Sequence, residues 1–166
     1  MRKIRIRKRF MLIPAAALGA TALALILWRH PVHADTPANR NAIYTAVFQK
    51  MMARRQRPYT GLSVGGEDPG IAMMNSFRNA KGVIPASRIQ MGVIKDMSGF
   101  MVPGTGKFAE IFSVHPDTLQ WSGPSRVSIE AGAHGSGSDG SEGTYSLVRV
   151  GDHWTVTGYV DSGLMF

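Results

Sequence analysis

The residues able to do chemistry are few and widely spaced. Three histidines, His115, His134 and His153, stand 19 residues apart, a spacing that matches no short metal-ligand motif. The sequence has no Cys, which excludes cysteine nucleophiles and thiolate zinc sites. His115 and Asp117 flank Pro116; facing a pocket, such a pair could exchange protons as general acid and base. His115-Pro116-Asp117 is also a natural turn at the end of a strand. No Ser-His-Asp order and no glycine-flanked serine supplies a nucleophile beside them. Arg126, Arg149 and Trp121, with Trp154, form a set that could line a ligand cavity, although Trp154 is also claimed by the core. These are the candidate site residues. No metal and no cofactor is expected.

Other segments imitate functional motifs. Pro103-Gly104-Thr105-Gly106-Lys107 resembles the end of a nucleotide-binding loop, but Met101 and Phe108 occupy the positions where glycine and Ser/Thr are required. It is expected to be a turn between strands. Asp139 and Glu142 lack the periodic ligands of a calcium loop. The pairs Met51-Met52 and Met73-Met74 suit core filling better than copper. Arg54, Arg55 and Arg57 close a predicted helix, where cations complement the dipole better than they mark a phosphate or acidic-partner site, the other reading of this basic end.

The elements that must position these residues follow from hydrophobic period. Thr36-Pro37 reads as an N-cap followed by proline at the first helical position. Ile43, Val47 and Met51, then Tyr44, Phe48 and Met52, recur at helical spacing over Ala38 to about Arg57, before Pro58. Tyr59 to Asp68 reads as loop. Asp68-Pro69 repeats the cap signal, and Ile71, Met74 and Phe77 predict a short helix ending near Gly82. After Pro85 the period becomes two. Strands are predicted at Arg88–Lys95 (Ile89, Met91 and Val93 on one side), Lys107–His115, Thr118–Ser122 and Arg126–Ala131. Gly132–Gly143, rich in Gly and Ser, is expected to be a flexible connection. Thr144–Val150 and His153–Val160, joined by Gly151-Asp152, form a predicted hairpin pairing Arg149 with Trp154, Leu147 with Val156 and Tyr145 with Gly158. Its core face would carry Tyr145, Leu147, Trp154, Val156 and Val160. Helices followed by strands imply an α+β domain, one long and one short helix packed on a curved antiparallel meander.

Charge is distributed unevenly. The chain has 166 residues and a formal net charge of +8, which at first suggests nucleic acid. Residues 1–34, however, hold seven of the 19 basic side chains and no acid, leaving 12 basic against 11 acidic in residues 35–166. Nucleic acid is therefore not an expected partner. Six cations precede Phe10–Trp28, 19 residues without a charge. Cations before an apolar segment stay cytoplasmic, so the remainder is expected on the outer side. The membrane is thus an expected partner of residues 10–28. Val32-His33-Ala34 fits signal-peptidase cleavage, whereas the length of the apolar run approaches that of a membrane anchor; both outcomes stand. The domain is expected in the periplasm of a bacterial envelope, soluble after cleavage at Ala34 or anchored.

Ile111, Phe112, Val114, Trp121, Val127-x-Ile129, the Gly/Ser-rich stretch, Tyr145-x-Leu147-x-Arg149 and Trp154-x-Val156 together resemble small exported bacterial proteins. They are also similar to the sheet half of the cystatin-like, or nuclear-transport-factor-like, α+β cone. That resemblance implies a site between the first helix and the sheet. The fold hosts isomerases, dehydratases, ligand carriers and scaffolds, so it does not select an activity. The order of tail, apolar segment and outer domain is similar to the assembly subunits of type IV secretion systems. The leading expectation is a non-enzymatic module binding a small ligand or an envelope protein. An acid–base enzyme of the cone fold and a membrane-tethered assembly component are the alternatives.

Overall fold

The computed structural model describes residues 35–135 and 140–163. The expected leader, residues 1–34, and Asp139 lie outside the described residues. No helix among the described residues is long and apolar enough to cross a membrane.

The domain is α+β. Helix α1, Pro37–Met52, begins as its sequence dictates: Thr36 is extended, and its Oγ1 accepts the Asn39 amide at 3.2 Å. Its apolar rows, Ile43, Tyr44, Val47, Phe48 and Met51, are buried. Strand β1, Tyr59–Val64, follows, then the short helix α2, Ile71–Ser76, and strand β2, Val83–Pro85. A 3-10 turn, Ala86–Arg88, leads to β3, Gln90–Ile94, β4, Met97–Val102, and β5, Lys107–Val114. A second 3-10 turn, Pro116–Thr118, precedes β6, Gln120–Gly123, β7, Arg126–His134, β8, Gly140–Val150, and β9, His153–Asp161.

The main sheet runs β2-β1-β5-β7-β8-β9, with β6 on β7 and β4 joining β3 to β5. Helix α1 lies over β5 and β9 and touches α2. On the sheet face beneath it, Leu62, Phe112, Val114, Val127, Ile129, Leu147 and Trp154 pack with the helix rows in one buried cluster. Each such aliphatic or aromatic side chain contributes about 1.5–3 kcal/mol through burial. Phe48 meets Phe77 edge-on, with ring centroids 6.3 Å apart, so α1 carries the segment after α2 with it.

The sheet is mixed, where an antiparallel meander was expected. The segment read as loop at Tyr59–Asp68 contains β1, an interior strand parallel to both β2 and β5. Its residues Thr60 to Ser63 are all buried, so no alternation betrays the strand; interior parallel strands are covered on both faces. Gly61 permits the second covering: a Cβ there would lie 2.6 Å from Ile89 Cδ1 and 3.0 Å from Ala86 Cα.

Other boundaries shift for identifiable reasons. Helix α1 stops at Met52, so Arg54, Arg55 and Arg57 lie beyond it and Lys50 is the cation of its last turn. Asp68 does not cap α2. Its carboxylate instead accepts the Ser87 amide at 2.9 Å and the Ser87 hydroxyl at 2.5 Å. Phe77 is buried as its row predicts, but Ile71 is exposed and Met73, rather than Met74, is the buried methionine. Met91 and Val93 alternate as expected, yet they face solvent. The Gly/Ser-rich stretch is largely sheet: Gly132, Ala133 and His134 pair with Glu142, Ser141 and Gly140. The final hairpin has the predicted register from Val150·His153 to Leu147·Val156, then a bulge between Ser146 and Leu147 shifts it. Tyr145 therefore faces Tyr159 rather than Gly158, and Val160 turns outward.

Candidate functional site

The connection from α1 to β1 crosses the sheet beside β5, and one buried acid holds it there. Glu110 on β5 is 7 % exposed. Its Oε1 accepts the amides of Gln56 (3.2 Å) and Arg57 (3.4 Å) and the Thr60 hydroxyl (3.3 Å). A carboxylate gathering donors left over past a helix end offsets its own desolvation. The connection it fixes presents Arg54, Gln56 and Arg57 to a cavity of about 430 Å³.

That cavity lies between the C-terminal end of α1 and the sheet. Met51, Phe112 and Ala133 make its apolar wall, and Tyr145, Tyr159 and Ser141 bring hydroxyls. The two tyrosine rings stand 4.8 Å apart, and the Arg54 guanidinium lies 5.7 Å from the Tyr159 ring centre. Arg57 lies 5.9 Å from that of Phe108. Burial, aided by the neighbouring Tyr159, pushes the Tyr145 phenol up to about 12. Burial, then Asp161, also raises Tyr159. Both phenols stay neutral near pH 7 and serve as hydrogen-bond donors. With Arg54 and Arg57 against Glu110, the lining carries one surplus positive charge.

The candidates read from sequence fall elsewhere. His115 and Asp117 share a smaller groove of about 240 Å³ with Thr118, Glu130 and Glu142. The partner of His115 is Glu142, its Nε2 lying 2.6 Å from Oε1. The Pro116–Thr118 turn is locked to β7: the His115 amide donates to Glu130 O (3.0 Å) and the Glu130 amide to Thr118 Oγ1 (2.9 Å). Among the described residues no arginine lines this groove. No group of three or more metal-ligating side chains gathers among the described residues.

Arg126, Arg149 and Trp121 do not share a cavity. Arg126 pairs with Val148, one residue from Arg149, so the two arginines occupy opposite faces of the sheet. Arg149 Nε donates to Gly151 O at 3.2 Å, and Nη2 lies 3.7 Å from Asp152 Oδ1. Trp121 meets Trp154 edge-on at 5.7 Å. Trp154 Nε1 donates to Asn39 Oδ1 at 2.7 Å, fastening the start of α1 to the final hairpin.

Of the cavity residues, Glu110 left a trace in the sequence. It stands in phase with Phe108, Phe112 and Val114, an acid at a core position. Tyr159 left none, because the bulge that turns it inward is a tertiary feature. Compared with known proteins, the chain matches no family model, no curated protein and no solved structure.

Proposed function

We propose that the domain is a ligand-binding module whose site is the cavity between α1 and the sheet, and that its ligand is a small amphipathic anion. The arrangement of Arg54 and Arg57 over an aromatic and apolar wall carries this reading. About 430 Å³ falls within the range of sites for small organic molecules. Guanidiniums at the lining recognise carboxylate, sulfonate or phosphate, and Met51, Phe112 and the tyrosines cover an apolar body.

Two fluorescent probes test the reading, anionic anilinonaphthalene sulfonate and neutral phenylnaphthylamine. Both should brighten on the native chain, and Ala133→Trp, which fills the cavity, should abolish both signals. Arg54→Ala with Arg57→Ala should weaken the anion about tenfold, or about 1.4 kcal/mol, and spare the neutral probe. Binding indifferent to Ala133→Trp would overturn the assignment.

The module is further proposed to work on the outer side of a bacterial inner membrane, delivered there by residues 1–34. The concentration of cations before the apolar run 10–28 supports this.

A further inference from the structure

We infer that the β3–β4 arm is a dimerisation element, and that its occupant is the same arm of a second copy. Strands β3 and β4 form a hairpin that reaches β5 only through Met101·Phe108 and Val102·Lys107. Its distal part is a two-stranded ribbon, an arrangement marginal in water by itself. Met91, Val93 and Met97 on it are 63 %, 67 % and 59 % exposed.

The outer edge of β3 lacks the usual protections. Among the described residues it pairs with β4 alone. Strand β2 ends in Pro85, and β9 carries His153, Asp161 and a bulged partner. The five residues Gln90–Ile94 contain no charge, no proline and no bulge.

The hairpin geometry fixes what this edge offers. Lys95 (φ 48°) and Asp96 (φ 67°) form a two-residue turn with both φ positive, and the closing pair of such a turn, here Ile94·Met97, exchanges both hydrogen bonds. Gln90, Gly92 and Ile94 therefore direct their amides toward β4, and Met91 and Val93 direct theirs outward. A twofold axis through Gly92 pairs Met91 with Val93 of the second copy, and Val93 with Met91. That register keeps all five residues in the ladder, forms four new backbone hydrogen bonds, and sets the exposed Met91 and Val93 of the two copies beside one another. An antiparallel pairing of this kind is isologous and closes as a dimer. Charge agrees with it. Arg88 stands just before β3 and Asp96 just after it, so the antiparallel register brings the Arg88 end of one copy toward the Asp96 end of the other, twice. Both residues are exposed, and Arg88 also neighbours Asp68.

The full chain in detergent, examined by sedimentation, should have the mass of a dimer. Val93→Pro removes an outward amide and leaves the β3–β4 ladder intact, so it should give a monomer with unchanged circular dichroism and melting. Arg88→Asp should weaken the dimer, and adding Asp96→Arg should restore it. A spin label on Lys95→Cys should report a second label whose backbone is about 20 Å away. A chain monomeric at about 100 μM would overturn the inference, whether or not the arm then inserts into lipid vesicles. So would a dimer that survives Val93→Pro, which would place the contact elsewhere, in the apolar N-terminal segment for example.

Discussion

Glu110 occupies a strand position that hydrophobicity reserves for the core, and the reason is local. Three donors from the α1–β1 connection and β1 converge on one of its oxygens, so the residue that looks misplaced organises the cavity. Trp154 has the opposite character, an apolar body with one polar handle on Asn39. Trp154→Ala should lower unfolding stability by about 3–5 kcal/mol, measured by denaturant titration; a loss below about 1 kcal/mol would show that the Trp121–Trp154 contact adds little. Tyr145 gives a prediction in pH. Its ordinary value of 10.0 rises to about 12 in the fold. The neutral phenol is the favoured folded form, so its contribution is complete below pH 10 and is lost as pH climbs through about 12. Tyr145→Phe should flatten the alkaline limb of the stability profile in that window. An identical limb in the variant would mean that Tyr145 is not the group titrating there.

At the level of elements, legibility followed the presence of a period. Helix α1 shows two apolar rows and a cap, and it appears almost where the sequence places it. Strand β1 shows neither, because Thr60, Gly61, Leu62 and Ser63 are covered on both faces. Small residues there signal close approach, whereas composition alone suggests a loop. The Gly/Ser-rich segment misleads in the same way. A Cβ at Gly143 would run into the Tyr159 ring and the Val160 carbonyl, so glycine there makes room for a partner strand. Gly61→Ala tests this view of β1. The added methyl has to displace Ile89 or the Ala86 backbone and should cost about 1–3 kcal/mol in thermal unfolding. A neutral or stabilising outcome would mean that the 3-10 turn at Ala86–Arg88 yields freely. The cavity was only partly within reach: its arginines read first as a solvated helix end and second as an anion site, and one of its tyrosines follows a bulge.

For the whole molecule, the net charge of +8 separates into a basic N-terminal segment and a domain close to neutrality. In the proposed function, electrostatics speaks to delivery and the cavity to what is bound. N-terminal sequencing of the chain from fractionated cells checks the delivery half. A start at Asp35 in the periplasm, or at Met1 in the membrane, agrees with export; a full-length chain in the cytoplasm contradicts it.

The parallel pairing of β1 with β5 sets the order in which the domain can be completed. Thr60 and Glu110 are 50 residues apart in the chain, and both strands flanking β1 come later than β1 itself. As the chain is made, α1 and β1 wait with apolar surface uncovered until β5 arrives. Loop closure on that scale must precede the contacts that reward it, so acquisition of the fold should be governed by this one long-range encounter. A chain truncated before Lys107 keeps β2 on one side of β1 and leaves the other edge of this interior strand open, a state prone to aggregate.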